Sequence, residues 1–184
     1  MAKILGISGS LRQGSYNASL LRAAAQLTPA GSQVDIASVR GIPLYDADFE
    51  AKEFPQVVAD LKERIVTADG LLLVTPEYNN SFPGVFKNAI DWLARPAKDV
   101  RRVFGNRPVA LMGATPTQGA TILAQAAWLP VIRTLGMRPF FGSRVHVPRA
   151  DKAFDAAGNL IDDDIRKRVQ DFMARFVEFI SPSR

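Results

Sequence analysis

At 184 residues, 47% hydrophobic and 22% charged, the chain has the size and balance of a folded globular domain and not of a disordered or fibrous protein. It has no cysteine, which excludes disulfides, thiol redox chemistry and thiolate metal sites. Its net charge of +5 is unevenly placed: Val100 to Ala150 contains no Asp or Glu but holds Arg101, Arg102, Arg107, Arg133, Arg138, Arg144 and Arg149.

The first element is the apolar run Ile4-Leu5-Gly6-Ile7, read as a buried strand. It opens into the loop Ser8-Gly9-Ser10-Leu11-Arg12-Gln13-Gly14-Ser15-Tyr16-Asn17. Gly9 and Gly14 permit a tight turn and close backbone approach. Ser10, Ser15 and Asn17 add short polar groups, and Arg12 adds a planar five-donor fork. Together with the free N–H groups and positive dipole end of a following helix, this composition describes an anion site suited to a phosphate. The plainer reading is a strand-turn-helix with Ser or Asn as cap. No Walker A or dinucleotide G-x-G-x-x-G pattern is present, so a mononucleotide phosphate suits the loop better than a Rossmann-bound dinucleotide.

A helix is expected over Ala18–Leu27, a strand over about Gln33–Val39, and an irregular connection over Gly41–Asp46. Helical spacing returns in Phe54–Ala68, with Val58, Leu61 and Ile65 in phase. Gly70–Thr75 is a short unbroken apolar run, as in a strand buried on both faces. Its loop, Thr75-Pro76-Glu77-Tyr78-Asn79-Asn80-Ser81-Phe82-Pro83-Gly84, leads to a helix capped by Ser81 and ending near Ala94. Ala97–Asn106 reads as a basic loop and Pro108–Met112 as a fourth strand. A third polar loop follows, Gly113-Ala114-Thr115-Pro116-Thr117-Gln118-Gly119. The next helix, about Ala120–Leu135, is apolar nearly all round, and Pro130 is expected to kink it. A fifth strand is placed at Met137–Phe141, a turn at Asp155–Asn159 and a last amphipathic helix at Asp162–Ile180.

Five strands alternating with helices predict one α/β domain over residues 1–184, with a parallel sheet. The loops after strands one, three and four then converge at the carboxyl ends of the strands, where such sheets bind ligands. One ligand is expected, its phosphate on Gly9–Asn17 and its body between Pro76–Asn79 and Gly113–Gly119.

Gly9-Ser10-Leu11-Arg12-Gln13-Gly14-Ser15-Tyr16-Asn17, Pro76-Glu77-Tyr78-Asn79 and Lys87-Asn88-Ala89-Ile90-Asp91-Trp92-Leu93 resemble the NADPH-dependent FMN reductase family, as does Ile42-Pro43-Leu44-Tyr45-Asp46. The resemblance implies a flavodoxin-like three-layer sandwich with a five-stranded parallel sheet of order 2-1-3-4-5. It implies that Ser10, Arg12, Ser15, Tyr16 and Asn17 hold the FMN phosphate. Pro76, Glu77, Tyr78 and Asn79 would lie against the isoalloxazine, largely through backbone, with further flavin contacts from Gly113, Thr115 and Gln118. The implied activity passes a hydride from NADPH or NADH to FMN N5, then to a quinone, free flavin or similar small acceptor. No side chain acts as nucleophile and no metal is expected, because such chemistry needs position and shielding. His146 is read as structural. A homodimer or homotetramer is implied, and the nearly all-apolar helix Ala120–Leu135 independently asks to be covered.

Two other functions fit parts of the pattern. A flavodoxin-type electron carrier would share the fold, but carriers of that type tend to be acidic. An inactive nucleotide-binding regulatory or scaffold protein would show itself in a third loop, Thr115–Thr121, that departs from the family pattern. The spread-out arginines, without interleaved aromatics, argue against nucleic acid, and suit an anionic ligand such as NADPH, a solvated surface or an oligomer contact. No apolar run reaches membrane-span length. The chain runs at once into its first strand, so no signal peptide is expected and the cytoplasm is the expected location.

Overall fold

The computed structural model describes residues 1–181. β1 (Lys3–Ser8), β2 (Gln33–Ser38), β3 (Gly70–Val74), β4 (Pro108–Ala114) and β5 (Arg138–Pro139) form a parallel sheet in the order β2-β1-β3-β4-β5. This is the expected order, with the direction of winding reversing between β1 and β3. The fifth strand is split. β5 pairs Pro108 and Val109, then Phe140–Arg144 leaves the sheet, and β6 (Val145–Val147) returns to pair Met112–Ala114.

The unbroken apolar runs hide a period of two. In β1, Leu5 and Ile7 enter one apolar layer and Ile4 the other; in β3, Leu71 and Leu73 go with the first and Leu72 and Val74 with the second. Such alternation follows from the pleat, and burial on both faces explains why no polar residue interrupts it. The first layer packs under α3 (Gln56–Val66), α4 (Gly84–Leu93) and α6 (Ile122–Thr134) through Val58, Leu61, Ile65, Phe86, Ile90, Trp128 and Ile132. The second packs under α1 (Tyr16–Gln26) and α8 (Asp163–Ile180) through Leu20, Leu21, Val169, Phe172 and Phe176. α8 starts where the Asp162 carboxylate accepts the Ile165 N–H at 2.9 Å, with Asp163 and Asp164 in its first turn favoured by the helix dipole.

The structure corrects several boundaries. Ala97–Asn106 is not an open loop: Ala97–Asp99 forms a 3₁₀ turn, and α5 (Val100–Phe104) follows. Val103 and Phe104 are fully buried, and they anchor the segment. The buried Lys62 ammonium donates to the Arg95 carbonyl at 2.5 Å and to Asp99 at 2.6 Å, which holds the Asp99 carboxyl below its ordinary range. Ser81 does not cap α4, whose N-cap is Pro83. Instead Tyr78 and Ser81 exchange backbone hydrogen bonds of 2.9 and 3.1 Å around Asn79 and Asn80, which stand at φ 51° and 61°. This is a two-residue turn with both central residues left-handed, a conformation asparagine tolerates. α6 begins at Ile122 because Ala120 and Thr121 have φ of 50° and 64°, incompatible with a right-handed helix; Pro130 does not end it.

Two short helices complete the fold: α2 (Ala47–Glu50), directly after the irregular Gly41–Asp46 connection, and α7 (Ala150–Ala153), after β6.

Candidate functional site

The three polar loops leave the carboxyl ends of β1, β3 and β4, and hydrogen bonds fix the root of each to a neighbouring strand. The Gly9 N–H donates to the Val74 carbonyl at 2.9 Å, and Thr75 N–H to the Met112 carbonyl at 2.9 Å. The Thr115 N–H donates to the Val147 carbonyl, and the Ala150 N–H to that of Thr115, both at 3.0 Å. Each loop therefore leaves its strand already bonded to its neighbour.

The first loop keeps its donors available. Ser15 is the N-cap of α1, its hydroxyl accepting the Ala18 N–H at 3.3 Å. Tyr16 and Asn17 occupy the first two helical positions, whose N–H groups have no acceptor inside the helix. The Ser10 hydroxyl accepts the Arg12 N–H at 3.3 Å. Arg12 lies over the Tyr16 ring at 5.2 Å, with no ion pair among the described residues. Tyr16 in turn stacks on Phe154 at 6.1 Å. The Arg40 guanidinium donates to the Leu11 carbonyl and braces the loop from outside. Gly9 is required sterically, since a Cβ there would lie 2.1 Å from the Phe86 ring; at Gly14 the same position is open.

Asn17 is placed differently from its three polar neighbours. Its side chain is buried and bonded in both directions to the backbone of Ala114: Nδ2 donates to the carbonyl at 2.8 Å, and Oδ1 accepts the N–H at 2.9 Å. What residue 17 offers an anion is its backbone N–H and its remaining amide hydrogen. Nothing in the local sequence signals this bond, which spans 97 residues.

In the second loop Pro76 is buried and Tyr78 is exposed. The Asn79-Asn80 turn sets the direction of both flanking residues. Glu77 was read mainly for its backbone, but its carboxylate has a role too: Oε2 accepts the Ala124 N–H in the first turn of α6 at 2.9 Å. This satisfies a helix-start donor that the Thr121 side chain leaves uncapped. Beneath the loop, Trp128 packs against Phe82 and Phe86 at centroid distances of 4.5 and 4.9 Å.

The third loop begins later than the sequence suggests. Gly113 and Ala114 belong to β4, with Gly113 opposite His146. A Cβ on Gly113 would meet the Thr75 carbonyl and the Thr121 hydroxyl, each at 2.3 Å, so packing dictates this glycine. The Thr115 hydroxyl lies 3.1 Å from that of Thr117, while Gln118 is exposed. His146 Nδ1 is 3.2 Å from the Ala120 carbonyl. Burial pushes its imidazole below the ordinary range, against the opposing effect of that bond. A half-buried, neutral His146 beneath the third loop supports the loop.

Sequence reading missed Phe86 as the floor under Gly9 and Thr121 as the left-handed pivot of the third loop. It also missed Ser8, whose buried hydroxyl at the root of the first loop has no protein partner. No group of three or more His, Asp or Glu side chains placed to hold a metal occurs among the described residues.

The chain is similar in sequence and fold to known proteins. Residues 2–152 match the family model of NADPH-dependent FMN reductases. The chain is 44% identical over 168 residues to an NAD(P)H-dependent FMN reductase of Pseudomonas aeruginosa, covering 91% of this chain and 89% of that protein. It is 37% identical over 182 residues to a 2-hydroxy-1,4-benzoquinone reductase of a Burkholderia species, covering 99% and 98%. The solved structure of FerB, a flavoenzyme NAD(P)H:(acceptor) oxidoreductase from Paracoccus denitrificans, matches with a TM-score of 0.87 at 30% identity, covering 98% of this chain and 97% of that one.

Proposed function

The chain belongs to the NADPH-dependent FMN reductase family and is an NAD(P)H-dependent oxidoreductase, and from that premise we propose how its residues divide the work. Residues 1–184 act as one flavodoxin-like domain that binds FMN at the joined ends of β1, β3 and β4. The observation that carries this reading is the placement of three polar loops, each fixed at its root to a neighbouring strand, at one end of the sheet, the first of them holding an arginine without an acidic partner among the described residues.

The donor set fits an FMN phosphate. The Ser10 and Ser15 hydroxyls, the Arg12 fork and the N–H groups of Tyr16 and Asn17 lie in one loop and helix start, and Gly9 keeps the backbone close to Phe86. Pro76, Glu77, Tyr78 and Asn79 flank the ring from one side, and Thr115 and Gln118 from the other. Gly113 acts one layer deeper, by letting β4 approach Thr75. Bound FMN supplies a two-electron relay between a nicotinamide and an acceptor. The protein's part is to orient that ring, exclude water from one face and leave the other open. The acceptor is a small planar oxidant of the quinone type, supported by the names of the relatives.

Visible absorbance of the purified protein tests the reading. A flavin band is expected that bleaches under anaerobic NADPH and returns when 1,4-benzoquinone is added. A band that resists NADPH would identify a carrier reduced by another protein. Failure to take up FMN at all would overturn the site assignment.

Assembly into a homodimer or homotetramer is part of the same proposal. Two apolar faces lie exposed on the monomer. One gathers Leu44, Tyr45 and Phe49 against Trp92 of α4. The other follows α6 through Ile122, Leu123 and Leu129 to Phe141, around a cavity of about 230 Å³. Covering such faces with a second copy removes apolar area from water. Sedimentation at micromolar concentration is expected to give a mass of two or four chains, and a stable monomer would contradict it. No helix among the described residues is long and apolar enough to cross a membrane, and the cytoplasm is the proposed location.

A further inference from the structure

A pocket beside the third loop gathers positive charge that the described structure leaves unneutralised. Gln118 of that loop, Arg149 after β6, Lys152 of α7, and Asp162 and Arg168 at the start of α8 line it. Arg149, Lys152 and Arg168 are exposed, and none of them forms an ion pair among the described residues. Other surface cations do find carboxylates: Arg64 pairs with Asp35, Arg95 with Glu50, Arg102 with Glu63, and Lys87 with Asp91. The one carboxylate of the pocket lining, Asp162, is engaged in capping α8 through the Ile165 N–H.

The cluster is also fixed to the loop it adjoins. The Arg149 N–H donates to the Thr117 carbonyl at 3.3 Å, and Arg149 itself stands at φ 46°, a conformation that costs free energy outside glycine. A neighbouring pocket shares Arg168 and adds Arg144 and Arg175 against one carboxylate, Asp171, so the excess of positive charge continues along α8. Three cations against the single Asp162 carboxylate leave the lining net positive, and a dianion placed among them offsets that excess.

We propose that Arg149, Lys152 and Arg168 receive the 2′-phosphate of NADPH and so set the preference of this protein for NADPH over NADH. The proposal rests on the reductase reading above. Gln118 connects the two regions: it belongs to the loop assigned to the flavin and to the lining of the basic pocket. The basic pocket therefore adjoins the loop at which the nicotinamide end of a dinucleotide would sit. A phosphomonoester carries close to two negative charges at neutral pH, whereas NADH offers a neutral hydroxyl at the same position. Side-chain cations on two separate segments, α7 with its N-cap and α8, suit a terminal dianion that can be approached from more than one direction.

Calorimetric titration of the FMN-loaded protein with 2′-phospho-ADP-ribose and with ADP-ribose tests this directly. The phosphorylated ligand is expected to bind at least about tenfold tighter at low salt, and the difference to shrink as ionic strength rises. In the double variant Lys152→Ala/Arg168→Ala the preference should fall to about threefold or less, while Arg168→Lys, which keeps the charge, should retain most of it. The kcat/KM ratio of NADPH to NADH is expected to fall in parallel. Equal affinities in the parent, a preference that survives the double variant, or an equal loss for both ligands would overturn the assignment; the last would place the pyrophosphate there instead. Flavin absorbance of the same samples separates the two levels of argument. Retained FMN without discrimination removes this subsite alone, whereas protein that never takes up FMN removes the reductase reading.

Discussion

Replacing Arg12 with alanine is expected to raise the dissociation constant for FMN by roughly 10- to 100-fold. The estimate is that of one charge-assisted hydrogen-bonding group to phosphate, about 1.5–3 kcal/mol, taken toward its lower end because Arg12 is exposed. No nearby carboxylate competes for this guanidinium among the described residues, and the Tyr16 ring beneath it limits the directions it can take. The fold should be untouched, because Arg12 contributes nothing to either apolar layer. Arg12→Lys keeps the charge and loses the planar fork, so it should fall between the parent and Arg12→Ala. Fluorescence titration of the apoprotein with FMN measures all three. Identical affinities would remove the phosphate from this loop.

Asn17→Ala is expected to act on stability as well as on the site. It deletes two hydrogen bonds and leaves the buried N–H and carbonyl of Ala114 without partners. At about 1–3 kcal/mol for each of the two stranded groups, the loss is about 2–6 kcal/mol. In a protein of this length that lowers Tm by roughly 4–24 °C. Asn17→Asp gives a sharper version of the same test. Its carboxylate can still accept the Ala114 N–H, but it also faces the Ala114 carbonyl, so the charged form is disfavoured and the folded-state pKa is raised. A raised folded pKa means that the contribution to stability is greatest at low pH. It is lost as pH rises through that value. The gap in Tm between Asn17→Asp and the parent should therefore widen from about pH 4 upward, and that for Asn17→Ala should stay level across the same range. A pH-independent gap for Asn17→Asp would show that its carboxyl does not meet the carbonyl.

These two residues mark where sequence reading reached its limit. Arg12 was legible because its contribution is local: a cation in a glycine- and serine-flanked loop between a strand and a helix. The convergence of three loops was legible too, since it follows from parallel strand order alone. The bond from Asn17 to Ala114 was not, because it joins residues 97 positions apart and depends on the exact placement of β4 beside α1. Glu77 is a similar case: its partner Ala124 lies 47 residues away, and a carboxylate after Pro76 carries no sign that it will cap a helix elsewhere. Other misses had local signals. Asn79-Asn80 is a pair of residues that tolerate left-handed backbone, and it announces the tight turn that replaces the Ser81 cap. Val100, Val103 and Phe104 have helical spacing, and they mark α5 within a stretch whose charge made it look like a solvated loop. The break in the fifth strand left no such trace. Met137–Phe141 has the composition of one short strand, and the departure of Phe140–Arg144 is decided by packing of Phe140 on Phe172 and Phe176.

That break has a bearing on how copies of this chain can associate. A sheet margin with a long row of unpaired N–H and C=O groups is a template on which another chain can add a strand. Here one margin is made of two pieces, of two and three residues, with a detour between them. At the opposite margin the Arg64 guanidinium donates to the Ile36 carbonyl at 2.8 Å and pairs with Asp35, which places fixed charge along β2. Both margins are therefore poor templates for strand addition. Assembly is left to side-chain faces such as α6, so ordered oligomers can form without opening a route to runaway sheet growth.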